Sequence, residues 1–300
     1  MKKIGNTRSV LLSSGSDQHL HQLNEAESNR LKETLLEMYK DIMHFCKENY
    51  LCIMLGGGSV LGSVRHGGFI PWDDDLDLMM PRKDYDIFIH TFEKSMGDKY
   101  ELFVPDGKHL ATNLFLKVSK KNTLEEDICT VGSSVKTGIV VDIFPMEHIP
   151  KNKIVYGCKG FLANVFAYTF VSVYMFQNRN ERMRKMYCGN LKGRINYTIR
   201  MILGGLFSFR KYEKWYVMFD KFVQSKEDSG LCTIPTGRNH YDGEIQKNDV
   251  FFPPKMTTFE GEPAYIPQKV DVYLKSLYGD YMTLPPEDKR EKHFYTKIEF

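Results

Sequence analysis

Apolar residues change period several times along the first half of the chain, and each change predicts an element. From Asn24 to Asn49, Leu31, Leu35, Met38, Ile42 and Phe45 recur every three or four positions among charges, which predicts a long helix with one buried stripe. The apolar run Leu51–Leu55 then predicts a short buried strand halted by Gly56, Gly57 and Gly58, with Ser59 placed to cap a short helix through His66. "DLDLMM", from Asp75 to Met80, alternates charge with apolar residues at period two. Asp75 and Asp77 should therefore share one strand face, Leu76 and Leu78 the other, and Pro81 ends the strand. Lys83–Met96 returns to helical spacing. "YELFV", "NLFLKVS" and "GIVVDIF" read as further strands, and Gln268–Tyr278 as a helix stopped by Gly279. Such irregular mixing predicts an α+β fold, a mixed β-sheet core flanked by helices, rather than a regular doubly wound sheet.

Residues 151–214 break the pattern. They hold a nineteen-residue uncharged run, Gly160–Asn178, and thirteen Lys/Arg against only Glu181 and Glu213. The segment thus carries +11 while the whole chain carries +3, leaving −8 elsewhere. It reads as a basic, mainly helical insert. One reading lays it on an anionic membrane surface; the other makes it a subdomain that covers the active site. The run is borderline against the roughly 20 apolar residues that a span requires, and it contains Asn164. The expected organisation is a polar leader over 1–22, a catalytic core over 23–150, the insert over 151–214, and a C-terminal part over 215–300 that completes the catalytic domain.

Composition changes this picture little. With 42% hydrophobic and 26% charged residues the chain can bury a core and is not disordered by composition. Six scattered cysteines form no C-x-x-C pair and no zinc-like spacing, which fits a reduced, cytoplasmic setting. The leader lacks the apolar run of a secretory signal. The expected location is cytoplasmic or peripheral at the inner face of the cell membrane.

The chemistry concentrates in "FIPWDDDLDLMM", where Asp73, Asp74, Asp75 and Asp77 crowd together beside a buried strand. Close carboxylates raise one another's pKa unless a cation lies between them. Hard oxygen donors suit Mg²⁺ or Mn²⁺, which bind substrate phosphates in their remaining positions. The turn Gly57, Gly58, Ser59, opening a helix, is a natural phosphate cradle. Asp142, between Val141 and Ile143, is costly to bury without compensation and offers a third carboxylate. Arg65 is placed to fork two phosphate oxygens or to pair with one of the aspartates. His66 fits either a structural or a direct role. Trp72 can pack on a quaternary ammonium or serve as a core residue. Lys117 reaches a diphosphate or faces solvent. Asp73 and Asp74 precede the strand and are placed as turn-forming or supporting residues.

The stretch Leu55–Phe88, "LGGGSVLGSVRHGGFIPWDDDLDLMMPRKDYDIF", resembles the core signature of the LicD family of phosphocholine and phospho-alditol transferases, distant relatives of fukutin. "VVDIFPMEHIP" and the segment from Phe259 to Phe294 resemble the family pattern too. The resemblance implies a nucleotidyltransferase-type fold with Gly58 and Ser59 in the turn, and with Asp75, Asp77 and Asp142 holding two divalent ions. It implies a CDP-alcohol donor, CDP-choline first, and a glycan or lipid-linked glycan acceptor in cell-envelope polysaccharide synthesis, with CMP released and no nucleic acid bound. Two alternatives stay open: a nucleotidyltransferase that moves NMP from an NTP to a small molecule or nucleic acid, and an inactive membrane-surface scaffold. No family signature is apparent in residues 151–214.

Overall fold

The computed structural model describes residues 22–127, 135–287, 290 and 295–300. All of the expected leader but residue 22 lies outside the described residues, as does Cys129. Helix α1 spans Glu25–Glu48. Asn24 starts it with a reciprocal cap: its side chain accepts the Glu27 N–H at 3.0 Å, and the Glu27 carboxylate accepts the Asn24 N–H at 2.9 Å. The stripe from Leu31 to Phe45 is buried, as its spacing predicts. The strand expected over Leu51–Leu55 shortens to β1, Met54–Leu55, because the Cys52 N–H donates to the Asp84 side chain instead of a ladder.

After α2 (Gly57–His66) come β2 (Asp77–Pro81) and α3 (Arg82–Met96). The strands β3 (Tyr100–Phe103), β4 (Leu116–Lys120), β5 (Leu124–Asp127) and β6 (Val140–His148) follow. The main sheet has the order β1-β2-β6-β4-β3; β2 and β6 run parallel and the other neighbours antiparallel. The end of β6 also pairs with β7 (Leu231–Thr233), which pairs with β8 (Gln246–Lys247). This is the mixed sheet of an α+β fold.

A hairpin of β9 (Lys255–Phe259) and β10 (Glu262–Ile266) turns through Glu260 and Gly261, both at positive φ as a two-residue hairpin turn demands. The Glu260 N–H donates to the Gly67 carbonyl at 3.0 Å, and its carboxylate accepts the Phe69 N–H at 2.8 Å. The hairpin therefore braces the loop that leads into the acids. Helix α8, Val270–Tyr278, packs on α2, and β11, Tyr295–Glu299, pairs with β5. β5 and β11 form a separate two-stranded sheet, so the C-terminal elements return to the N-terminal half of the chain.

The insert folds as α4 (Lys153–Gln177), α5 (Glu181–Tyr187), α6 (Leu191–Phe207) and α7 (Tyr212–Val223). Asn152, Asn180 and Asn190 cap the first three through their side chains. These helices build their own apolar cluster around Phe170, Tyr174, Trp215, Tyr216 and Phe219. Residue 214 falls inside α7, and the cluster runs on to Val223 and Tyr241. Arg82 joins the insert to the sheet: its Nε donates to Glu147 Oε1 on β6 at 2.6 Å and its Nη2 to Asp220 Oδ1 on α7 at 2.8 Å.

Candidate active site

Strand register builds the centre of the site. Asp77 on β2 lies opposite Asp142 on β6, and Asp142 lies opposite Lys117 on β4. Registered neighbours project to the same side of a sheet, so these three side chains form a row across it. Lys117 Nζ is 2.9 Å from Asp142 Oδ1. Val141 and Ile143 flank Asp142 on the opposite face and are fully buried. Asp142 therefore sits where the sheet carries charge, and Lys117 meets part of its need for a cation.

The glycine turn is tied to this row by its backbone. The Gly56 N–H donates to the Asp77 carbonyl at 2.8 Å, and the Asp77 N–H donates to Ser59 Oγ at 2.9 Å. Ser59 is thus not the expected helix cap; α2 begins at Gly57 after Gly56, and the buried Ser59 hydroxyl clamps α2 to β2. Gly57 has φ +40, and a Cβ there would lie 3.0 Å from Asp77 Oδ2. At Gly58 a Cβ would lie 3.1 Å from Asp73 Oδ2. The missing side chains admit two carboxylates to the start of α2, where the helix dipole favours negative charge. The Gly57 N–H itself is taken by Tyr273 Oη at 3.0 Å.

Asp75 lies in the extended lead-in, since β2 starts only at Asp77; the Asp142 N–H donates to the Leu76 carbonyl at 3.1 Å. Asp73 is drawn further into the cluster than its position before the strand suggests. Burial, then Asp75, Asp77 and Asp74, hold its carboxyl well above the usual carboxylate range, and it shares a hydrogen bond with Asp75. Its place is set by the space that Gly58 leaves, a tertiary fit that strand period does not report. Asp74 hydrogen-bonds the buried Tyr295 hydroxyl from β11. Lys32 on α1 donates to the Pro71 carbonyl at 2.9 Å and feels Asp73 and Asp74, although burial lowers its pKa.

The remaining expected residues gather at a rim. Arg65 Nη1 donates to the Tyr281 carbonyl at 2.7 Å and Nε to His66 at 3.0 Å, so the aspartate pairing anticipated for it is not formed; its partners are backbone and imidazole. Burial and the neighbouring Arg65 lower the His66 pKa, and its ring stands edge-on to Trp72 at 6.0 Å. Trp72 is half-buried with the Arg290 guanidinium 4.3 Å and that of Arg65 5.9 Å from its ring centre. Its ring is a cation-binding surface, held here by arginine. Tyr273 and Tyr278 from α8 were not foreseen; Tyr278 carries Arg238 on its ring at 5.1 Å.

Carboxylate oxygens are the hard donors that a divalent ion takes, and burial, with Asp75, Asp77 and Asp74 around it, keeps the Asp73 carboxyl high, a load that a cation among the acids would lighten. Among the described residues no three acidic, His or Cys side chains are already drawn together around one point. Binding an ion would require the aspartates to converge, with Asp142 exchanging its contact to Lys117.

Comparison with known proteins adds a second line. The family model described as "LicD/FKTN/FKRP, nucleotidyltransferase domain" matches residues 50–176, which extends past the motif-bearing segment into α4 and corrects the view that residues 151–214 lie wholly outside the family pattern. A Haemophilus influenzae protein named lipopolysaccharide cholinephosphotransferase LicD is 26% identical over 260 residues, covering 84% of this chain and 91% of that protein. Mannosyltransferase regulator 4 of Saccharomyces cerevisiae is 29% identical over 115 residues, 36% of this chain and 9% of that protein.

Proposed function

Since this chain belongs to the LicD family, we propose that it is a metal-dependent transferase that moves a phospho-alcohol group from a CDP-alcohol to a glycan hydroxyl and releases CMP. Phosphocholine is the group favoured by the name of the Haemophilus influenzae relative, and a lipopolysaccharide or its lipid-linked precursor is the favoured acceptor. The observation that carries the reading is the row of Asp77, Asp142 and Lys117 across three strands, closed by the glycine turn.

Asp75, Asp77 and Asp142 are the residues that would hold Mg²⁺ or Mn²⁺, two ions in the fullest form of the reading. Such ions neutralise a diphosphate and make a bound hydroxyl more acidic. Asp142 takes the proton from the acceptor hydroxyl. That oxygen forms a bond to the phosphorus bearing the alcohol, the bond from this phosphorus to the bridging oxygen breaks, and CMP departs with the electron pair. Lys117 and the start of α2 offset the charge of the diphosphate. Trp72 exchanges arginine for the quaternary ammonium of choline.

The test offers CDP-choline, CDP-ethanolamine, CDP-glycerol and CDP-ribitol with lipopolysaccharide as acceptor and Mg²⁺ or Mn²⁺, and measures CMP. Turnover by the wild type and its loss in Asp77→Ala is the expected result. Pyrophosphate release from an NTP would point instead to nucleotidyl transfer, and equal CMP release by both proteins would displace the site.

A further inference from the structure

Helix α6 is built inside out. Its buried residues are Gly193, Arg200 and Gly204, whereas Leu191, Ile195, Ile199, Ile202 and Leu206 are 71, 52, 45, 58 and 67% exposed. The exposed five recur at spacings of three and four and so form one stripe. A helix that served only a core would turn that stripe inward. The inward side is fully used: Gly204 packs so closely on α4 that a Cβ would meet the Ser172 carbonyl at 2.3 Å, and Arg200 lies over the Tyr168 ring at 4.2 Å. The neighbouring α4 repeats the arrangement over its first half. Ile154, Val155, Phe161, Leu162 and Val165 are each 40% exposed or more.

Charge indicates what covers these stripes. Neither helix contains an acid, Lys153, Lys192 and Arg194 are exposed on them, and the surrounding segment carries +11. A second copy of the same face would set these positive charges against each other, whereas anionic lipid phosphates complement them. We propose that the outer face of α4 and α6 docks on an anionic bilayer surface, with its apolar stripes dipped below the headgroups and its basic residues among the phosphates. Helix α4 is long and apolar enough to cross a membrane, yet its second half holds the insert together: Phe170 stacks on Trp215 at 5.0 Å and Tyr174 meets Tyr212 at 4.9 Å. Spanning would dismantle that cluster, and lying flat preserves it.

The test uses the full chain and co-sedimentation with vesicles of phosphatidylcholine alone or mixed with phosphatidylglycerol. The wild type should bind the mixed vesicles, less as salt rises, and leave the neutral ones in solution. Replacing three exposed isoleucines together, Ile195→Gln, Ile199→Gln and Ile202→Gln, should weaken binding by about tenfold or more with an unchanged thermal midpoint, because each loses apolar area that contacts lipid. Ile199→Trp should add a blue-shifted indole emission when anionic vesicles are present. Wild type that stays in the supernatant, or a triple variant that binds as well as wild type, overturns the proposal. So does a wild-type dimer that the triple variant dissolves without any lipid binding, or wild type that resists alkaline carbonate extraction from cell membranes as a spanning protein would.

Discussion

Asp142 and Ile199 stand in inverse surroundings. In β6 the apolar neighbours Val141 and Ile143 are fully buried and the acid between them is met by a lysine; in α6 Ile199 is 45% exposed while its neighbour Arg200 is 5% exposed. Both elements turn polar groups toward protein partners. The difference is that β6 buries the apolar residues beside its acid, whereas α6 turns Tyr197 and Met201 toward the insert's cluster and leaves its aliphatic stripe outside. Burial thus follows where partners are available rather than the hydropathy of the residue, and an apolar residue left out is a statement about what lies beyond the molecule.

The largest effect expected on this contrast is chemical. Asp77→Asn should lower CMP release by about three orders of magnitude, the scale of losing a group that stabilises transition-state charge, while vesicle binding stays at the wild-type level. A parallel loss of lipid binding would mean that the two regions are not separable. Next is the link between them. Burial disfavours the Arg82 charge, but Glu147 and Asp220 more than offset it, and burial in turn pushes both acids up. Arg82→Met leaves Glu147 buried without its cation and should cost about 3–5 kcal/mol in urea unfolding, with part regained by adding Glu147→Gln.

A smaller effect is pH-dependent. Glu244 is buried beside the loop that carries Arg238 and accepts the Asn239 N–H at 2.9 Å. Burial, opposed by that hydrogen bond and by Arg238, pushes its carboxyl up to about 7 from an ordinary 4.5. Below the ordinary value the group is neutral whether the chain is folded or not and brings no penalty. As pH rises toward about 7 the unfolded chain ionises first, so wild-type stability falls, and above that the loss is complete and constant. Glu244→Gln should remove this decline, a difference of at most about 3 kcal/mol between acid and neutral pH in chemical denaturation. The smallest expected effect is Asn24→Ala, which removes the reciprocal cap of α1 and should cost about 1 kcal/mol without altering lipid binding.

The parts of the site governed by local spacing were legible beforehand. Period-two alternation placed Asp77 on one strand face, and a lone acid in an apolar strand marked Asp142, because both patterns act through neighbouring residues. Tyr273, Tyr278, Tyr295 and Lys32 were not legible, since they reach the acids only by tertiary packing; the bond from Gly57 to Tyr273 spans 216 positions. Asp73 was undervalued for the same reason, its place being fixed by space at Gly58 rather than by strand period. In the insert, composition marked a basic, apolar segment but not which way its apolar face turns. A stripe pointed at a core and a stripe pointed away from one have the same spacing.

The Arg82 anchor also limits how this protein can be recombined. Its guanidinium follows directly on the strand that carries Asp77, yet one of its three carboxylate partners, Asp220, belongs to the last helix of the insert, the others being Asp86 and Glu147. A chimera that exchanges residues 151–214 would cut α7 inside Tyr212–Val223 and leave Asp220 on a hybrid helix, with its reach to Arg82 set by the borrowed turn. Helices borrowed whole, spliced beyond Val223, would have to bring an acid of their own to that place.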